Sequence, residues 1–305
     1  MERIDHIGMH CGLEYTQFPF YKDFKKYSRY EHSLGVALII HHFSQDKRMT
    51  LSGLFHDIAT PSFAHVIDFL KGDHLKQEAT EERTSQILEN STVIQKELGK
   101  INLTTKDVDD YHKYPIADND TPKLSADRLE YTLHNLFNYS FASLEEIKEM
   151  YDDLALSKNE TGETEISFQH EKFARKFALL TLKNSHVYVT NEDRYAMEYL
   201  SRVIKKAILD HHLTEEDLYT TEENVIFLLS RHESDFENFQ HFRNLKVIHT
   251  EKKPIHKDSY QIQAKKRFID PLVIGKGRIS ALDQEVRHAI DSFLREDFSD
   301  YIYSE

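Results

Sequence analysis

Apolar side chains recur at helical spacing along much of the chain, and few residues interrupt them. Leu51, Leu54, Phe55 and Ile58 follow one another at intervals that place a single apolar stripe on a helix. The 305 residues include only nine glycines and six prolines. Because sandwiches and barrels need frequent turns, this pattern disfavours them and predicts a mostly α-helical fold.

One segment near the C-terminus differs from the rest. Residues 245–274 contain β-branched and alternating stretches, from which we expect two or three strands in a small antiparallel sheet. The polar stretch 157–166 is interpreted as a linker or loop. We therefore expect a core over residues 1–180 and, packed with it as one unit, a helical extension with a small β-sheet over residues 181–305.

The charge and cysteine content narrow the range of functions. The net charge of −13 argues against a protein that coats nucleic acid. Cys11 is the only cysteine, so neither an internal disulfide framework nor a cysteine-based zinc knuckle can form. The sequence has no apolar run long enough for a membrane span, and its first residues do not resemble a signal peptide. We expect a cytoplasmic protein with no membrane partner.

Positive charge is concentrated in one part of this acidic chain. Residues 243–278 hold ten Lys or Arg and three Asp or Glu, a net charge of +7. We interpret this segment either as a solvated sheet edge, where lysine discourages strand pairing, or as an anion-binding surface. In the second case the surface would lie at the mouth of an active site or between subunits.

Three places put ionisable residues on or beside predicted helices, and they are His32, the pair His56-Asp57, and Asp127. Taken singly, each has an ordinary structural explanation, such as a buried histidine bonded to a carbonyl or a helix cap. Together, two imidazoles and two carboxylates are a suitable ligand set for divalent Mn, Mg, Fe, Ni, Co or Zn. Such an ion lowers the pKa of bound water and neutralises phosphoryl charge.

The surrounding residues resemble the HD-domain metal-dependent phosphohydrolases, and most closely their dNTP triphosphohydrolase (dGTPase-like) branch. The chain reads Arg29-Tyr30-Glu31-His32-Ser33-Leu34-Gly35-Val36 where that branch has R-[FY]-E-H-S-L-G-V. The other matching stretches are Gly53-Leu54-Phe55-His56-Asp57-Ile58, Pro61-Ser62-Phe63-Ala64-His65 and Asp127-Arg128-Leu129-Glu130-Tyr131. The resemblance covers residues 1–140 in motif detail, extends more weakly beyond them, and implies an HD-domain helical fold.

The resemblance also implies roles for individual residues. The implied metal ligands are His32, His56, Asp57 and Asp127. Arg29 would contact a substrate phosphate during catalysis, because its guanidinium group suits phosphate oxygens. Asp68 would help to orient an active-site histidine. The residues that would line the phosphate or sugar pocket are Arg128, Tyr131, Asn135 and His65.

The chain departs from the family pattern where acid–base chemistry and nucleoside recognition are expected. Thr60 and Thr80 stand where the family has a phosphate-facing and a catalytic histidine. Two interpretations of His74, which lies close to Thr80 but at a different spacing, stay open: it takes the catalytic role in place of Thr80, or it is a solvated loop residue. Asn135 replaces a sugar-facing aspartate, and His6 replaces a glutamine. We therefore predict that the metal site is intact while the residues for acid–base chemistry and nucleoside recognition are altered. Loss of acid–base assistance slows a reaction about 10²–10⁴-fold.

These features predict an enzyme, a metal-dependent phosphohydrolase acting on a small-molecule nucleotide or phosphate ester. The resemblance implies hydrolysis of a dNTP to a deoxynucleoside and triphosphate. Two alternatives remain open: another HD activity on a nucleoside monophosphate or cyclic nucleotide, and a nucleotide-binding regulatory protein with reduced catalysis. The resemblance also implies a homo-oligomer.

Overall fold

The computed structural model describes residues 1–71 and 83–305, and these form the mostly α-helical fold that the sequence predicts. None of the helices in these two ranges combines the length and apolarity needed to cross a lipid bilayer. The α-helices are α1 (Arg29–Ser44), α2 (Lys47–Phe55), α3 (Val66–Lys71), α4 (Thr84–Asn90), α5 (Thr92–Lys100), α6 (Ala126–Asn138), α7 (Leu144–Asp152), α8 (Glu171–Val187), α9 (Asn191–Leu209), α10 (Glu222–Ser230), α11 (Glu233–Arg243), α12 (Ile279–Leu282) and α13 (Gln284–Leu294).

The strands are short and belong to two small sheets. They are β1 (Leu154–Lys158), β2 (Thr164–Phe168), β3 (Ile248–Glu251), β4 (Tyr260–Gln261), β5 (Leu272–Val273), β6 (Gly277–Arg278) and β7 (Tyr301–Ser304). The first sheet has the order β1-β2-β5-β6, in which only the β2–β5 pair is parallel, with Phe168 opposite Val273. The second sheet is antiparallel and has β7 between β3 and β4. The expected C-terminal β element is therefore present.

The interpretation of residues 157–166 as a linker or loop is confirmed in part: residues 159–163 form a loop, the turn of the β1–β2 hairpin, while the residues on either side belong to its strands. Asn159 Oδ1 accepts hydrogen bonds from the backbone N–H groups of Thr161 and Glu163 (both 3.0 Å), and Gly162 has a φ of +82°. These polar residues close a turn rather than separate two domains. The proposed division at residue 180 stays a prediction.

Helices α1 and α2 form an adjacent pair that carries part of the predicted site. Ser28 caps α1 in a capping box: its Oγ accepts from the N–H of Glu31 (3.2 Å), and the Glu31 carboxylate accepts from the N–H of Ser28 (2.9 Å). A Cβ atom at Gly53 of α2 would lie 2.4 Å from Cδ1 of Ile40 in α1. Glycine at this position therefore allows the two helices to approach closely.

Two large groups of buried apolar side chains form the core. One surrounds α9 and α11 and includes Phe63 from the loop after α2. The other surrounds α8 and includes Ile40 of α1 and Leu129 of α6. Since α1 and α6 belong to one group and the loop after α2 reaches the other, the predicted site lies where the two groups meet.

Candidate metal centre

The four predicted metal ligands lie at helix ends. His32 is in the first turn of α1, and Asp127 is the second residue of α6, just after the N-cap Ser125. His56 and Asp57 follow directly after the last residue of α2. His32, His56 and Asp57 are buried, and Asp127 is half-buried. The cap or helix end fixes the backbone conformation at each predicted ligand. The local sequence therefore determines the backbone position from which each ligand side chain projects.

The four side chains converge, and we call this group the candidate metal centre. His32 Nε2 lies 3.2 Å from His56 Nε2 and 2.9 Å from Asp127 Oδ1. Asp57 Oδ2 lies 3.6 Å from His56 Nε2 and 4.0 Å from His32 Nε2. Ligand atoms that share one ion at about 2.1 Å are themselves roughly 3–4 Å apart. The spacing of His32, His56 and Asp57 therefore fits a single divalent ion. Asp127 Oδ1 joins them through its distances of 2.9 Å to His32 Nε2 and 3.7 Å to His56 Nε2.

Hydrogen bonds at the opposite ring nitrogens orient both imidazoles. His56 Nδ1 lies 2.7 Å from the carbonyl oxygen of Gly53, so Nδ1 carries the proton and Nε2 presents a lone pair. His32 Nδ1 lies 2.5 Å from Glu130 Oε2, which orients this ring in the same way. Carboxylate or carbonyl groups behind ligand histidines are usual in metal sites. The donor set fits a metal ion in chemistry as well as in spacing.

The charges in this cluster shift the pKa values of its members. Burial opposes protonation of His32, but the charge of Glu130 and the hydrogen bond to Asp127 outweigh it and raise the pKa of His32 to about 10. A metal ion bound here would therefore replace the proton on His32 Nε2, which now bonds to Asp127. Burial alone would raise the pKa of Asp57, yet the Arg29 guanidinium holds that pKa well below its usual range. Against the same effect of burial, the hydrogen bond from His32 lowers the pKa of Asp127 to about 2. Carboxylates that stay ionised beside two ring nitrogens attract a cation.

Two further side chains hold Asp57 in place. Arg29 Nη1 donates a hydrogen bond to Asp57 Oδ2 (3.0 Å), and Thr60 Oγ1 donates one to Asp57 Oδ1 (2.6 Å). Thr60 occupies the position where the resemblance implies a phosphate-facing histidine, and here its hydroxyl orients a predicted metal ligand. The substitution therefore has a structural role in this chain.

The sequence reasoning missed Glu130 as a member of the site. Its carboxylate accepts hydrogen bonds from the Tyr27 hydroxyl and from His32 Nδ1. A Cβ atom at Gly35 would lie 2.6 Å from Glu130 Cγ, so glycine in the His32 motif leaves room for this carboxylate. The available signal was the position of Glu130, one helical turn after Asp127 on the same helix.

Asp68 pairs with a histidine, as the resemblance implies. Asp68 Oδ2 lies 2.8 Å from His65 Nδ1, and the Asp68 side chain is fully buried. Burial lowers the pKa of His65, so this ring is neutral near pH 7. The predicted catalytic histidine, His74, and Thr80 lie outside the described residues.

The predicted substrate residues line one large cavity of about 500 Å³, the main cavity. The candidate metal centre forms part of its wall, together with Arg29, His65, Arg128, Tyr131 and Asn135. Arg128 also bonds to neighbouring groups: its Nη2 donates to Asn119 Oδ1 (2.7 Å) and its Nη1 to Asp118 Oδ1 (3.3 Å). Asn135 Nδ2 donates to the Tyr188 hydroxyl (2.8 Å).

Two cationic side chains of the basic segment also line the main cavity. Lys265 and Arg267 belong to residues 263–268, which we call the crossing segment, and which has no regular secondary structure. The sequence indicated a basic stretch with an anion-binding alternative, but it did not assign these two side chains to the site. Local sequence could not do so, because 138 and 140 positions separate them from Asp127 along the chain.

Comparison with known proteins shows a shared fold with a solved structure and a relative in sequence. The chain matches no protein-family model. It is 27% identical over 251 residues to the uncharacterized protein YdhJ of Bacillus subtilis (strain 168). The aligned region covers 81% of this chain and 74% of YdhJ. Its fold is similar to the crystal structure of a phosphohydrolase from Bacteroides thetaiotaomicron VPI-5482, with a TM-score of 0.61 and 14% identity over 99% of this chain and 92% of that chain. This shared fold agrees with the resemblance to HD-domain phosphohydrolases, whereas the dNTP triphosphohydrolase branch stays a prediction.

Proposed function

We propose that this protein is a metal-dependent phosphohydrolase that acts on a nucleotide. The observation that carries the proposal is the convergence of His32, His56, Asp57 and Asp127 in the wall of the main cavity, with Arg29 beside them. A divalent ion bound there would lower the pKa of its water and offset phosphoryl charge. The likeness in fold to a phosphohydrolase supports the hydrolysis of a phosphate ester.

The side chains around the candidate metal centre suit this chemistry. Arg29 Nη1 is bonded to Asp57, while Arg29 Nε has no hydrogen-bond partner among residues 1–71 and 83–305. A phosphate oxygen would satisfy that buried donor. His65 is held at Nδ1 by Asp68, so its Nε2 remains the nitrogen that can bond to a substrate or move a proton.

The size and lining of the main cavity support a nucleotide rather than a small inorganic phosphate. Its volume of about 500 Å³ lies within the usual range for small-molecule sites, roughly 300–1,000 Å³. Tyr21, Tyr139 and Tyr188 offer ring faces, while His10 and Asp193 add buried polar groups. A planar base with polar edges matches such a lining. A deoxynucleoside triphosphate is the substrate that the sequence resemblance implies.

The test is release of phosphate products from a panel of dNTPs, NTPs, nucleoside monophosphates and cyclic nucleotides with Mn or Mg. We expect the wild type to turn over at least one nucleotide, and Asp57→Asn to lower that rate by about 10³-fold or more, because it weakens a metal ligand. Asp153→Asn is the matched control. Asp153 is also buried and also bonded to a histidine, His170, but it is not part of the main cavity.

The products then identify the reaction. Triphosphate release from a dNTP, lost in Asp57→Asn, supports the dNTP branch. Turnover restricted to monophosphates or cyclic nucleotides retains the hydrolase and changes the substrate. If no compound is turned over while metal and nucleotide still bind, the proposal is contradicted and a regulatory nucleotide-binding protein is favoured.

A further inference from the structure

Two of the elements that form the candidate metal centre are the start of α1 and the turn after α2, and one short segment contacts both. We call residues 2–9 the N-terminal segment. It begins with a 3₁₀ helix (Glu2–His6), and the side chains of Ile4 and Ile7 are fully buried. Buried apolar side chains hold the segment against the rest of the fold, so its polar groups have defined positions beside the two helix ends.

Two hydrogen bonds join the N-terminal segment to the start of α1. The N–H of Arg29, the first residue of α1, donates to the carbonyl oxygen of Ile7 (2.9 Å). The N-cap Ser28 donates its hydroxyl to Asp5 Oδ1 (2.8 Å). The first N–H groups of a helix have no acceptor within the helix, so bonds of this kind help to define where the helix begins. The backbone of His32, in the first turn of α1, is therefore placed relative to this segment.

Arg3 joins the same segment to the turn after α2. Its Nη2 donates to the carbonyl oxygen of Ile58 (2.6 Å) and its Nη1 to that of Thr60 (2.8 Å), the residue whose hydroxyl holds Asp57. Burial lowers the pKa of Arg3 to about 10, although Tyr219 and Asp57 oppose the shift, so the guanidinium is charged at neutral pH. Hydrogen bonds from a charged donor are roughly twice as strong as neutral ones. Arg3 is therefore well suited to hold the turn that contains Asp57.

A second connection between the N-terminal segment and the loop after α2 runs through Glu222 of α10. The buried Glu222 carboxylate accepts from the N–H of Gly8 (3.0 Å) and, through the same oxygen, from the N–H of Phe63 (3.3 Å). Phe63 has a φ of +61°, a backbone conformation that residues other than glycine rarely adopt. Bonds from outside the loop therefore help to stabilise it, and both Arg3 and Glu222 supply them.

We propose that the N-terminal segment positions the candidate metal centre and that Arg3 is its main positioning residue. This inference rests on the proposed function and deepens it, because it assigns the arrangement of the metal ligands to residues that do not bind metal themselves. Local caps fix the backbone at each ligand. The N-terminal segment then sets how the start of α1, with His32, lies relative to the turn that contains Asp57, because bonds to both belong to one short stretch.

The test is calorimetric titration of the chelator-treated protein with Mn²⁺. Arg3→Met keeps the length of the side chain but removes its charge and its donors, so we expect Mn²⁺ affinity to fall about 10–100-fold, as for other groups that orient metal ligands. Arg3→Lys retains the charge and a donor and recovers part of this loss. Arg287→Met is the matched control, because Arg287 also donates to two backbone carbonyl oxygens, those of Ser280 (2.9 Å) and Ala281 (3.4 Å), but does not line the main cavity. It leaves Mn²⁺ affinity unchanged.

Urea denaturation of the metal-free variants separates positioning from a general effect on folding. If Arg3 served only the stability of the fold, Arg3→Met would unfold at a lower urea concentration, yet its folded form would bind Mn²⁺ as tightly as the wild type does. That result would overturn the proposal. Equal losses of Mn²⁺ affinity in Arg3→Met and Arg287→Met, or no recovery in Arg3→Lys, would also overturn it.

A double-mutant cycle with Thr60→Val tests the route from Arg3 to Asp57. Thr60→Val removes the hydroxyl that holds the Asp57 carboxylate. If Arg3 acts through this turn, the loss of Mn²⁺ affinity in the double variant is smaller than the product of the two single losses, whereas losses that multiply would contradict the proposal. The titration needs no turnover. Tight Mn²⁺ binding without any turnover would contradict the proposed function while still deciding the role of Arg3, and a wild type that binds no Mn²⁺ would contradict both.

Discussion

The candidate metal centre and the crossing segment reach the same cavity by different means. Three of the four metal-centre residues lie within 26 positions of one another, from His32 to Asp57, and each stands at a helix end. Lys265 and Arg267 come from a stretch with no regular structure, held by bonds at Ile262 and Asp270. Local rules locate the first group, whereas long-range contacts locate the second.

Different contacts position the two regions, so we expect that each region can be altered without affecting the other. The metal centre depends on orienting bonds from Glu130, Gly53 and Arg29, all close to the ligands. The crossing segment depends on contacts to α9, α13 and the loop before α6. Variants of one region should therefore leave the property of the other intact, and this expectation can be tested.

Metal content should give the largest contrast. Asp127→Asn removes an ionised oxygen that lies 2.9 Å from His32 Nε2. At a metal concentration that just saturates the wild type, we expect the variant to bind less than about a tenth of the wild-type amount of Mn. Arg267→Gln should retain the full stoichiometry. Metal analysis after gel filtration measures both. Loss of metal in Arg267→Gln would break the separation between the two regions.

A smaller effect is expected from Gly35→Ala, which acts on the metal centre from behind. The added Cβ would lie 2.6 Å from Glu130 Cγ, so the carboxylate that orients His32 has to move. We expect metal affinity to fall about 10–100-fold, as for other supporting groups of metal ligands. Gly99→Ala is the matched control, because a Cβ at this helical glycine meets no atom within 4 Å in the described structure. Equal affinities in the two variants would exclude a role for Glu130.

The smallest expected effect concerns Asp193, a carboxyl whose pKa shifts in the direction opposite to that of Asp57. Burial raises the pKa of Asp193 to about 8, although Arg194 partly opposes the shift. In the unfolded chain this carboxyl has an ordinary pKa of about 3.9. Between the two pKa values the folded state binds more protons than the unfolded state, so the stability of the fold decreases as the pH rises.

Asp193→Asn removes this dependence. Between about pH 5.5 and about pH 7.5, wild-type stability should decline relative to the variant by about 2 kcal/mol, measured by urea denaturation of metal-free protein. Titration of the other groups is common to both proteins and cancels in the difference. Parallel stability curves would show that Asp193 is ionised in the fold.

Much of the fold and of the metal centre could be predicted because short-range signals carry them. Apolar spacing and caps indicated α1, α2 and α6, and the His32, His56-Asp57 and Asp127 positions followed from their motifs. The β1–β2 hairpin was missed because its turn residues are polar and resemble those of a linker. Strand β7 was missed because it pairs with β3 and β4, which lie about 50 and about 40 residues earlier.

The sequence by itself determined a helical chain, its likeness to HD-domain phosphohydrolases, and the four residues proposed to bind metal. These follow from patterns a few residues long, in which backbone geometry fixes the direction of each side chain. Only the tertiary structure decided that Glu130 stands behind His32, that Thr60 holds Asp57, and that Lys265 and Arg267 line the main cavity. The physical reason is that these contacts join distant segments, and packing of the whole chain sets the distances between them.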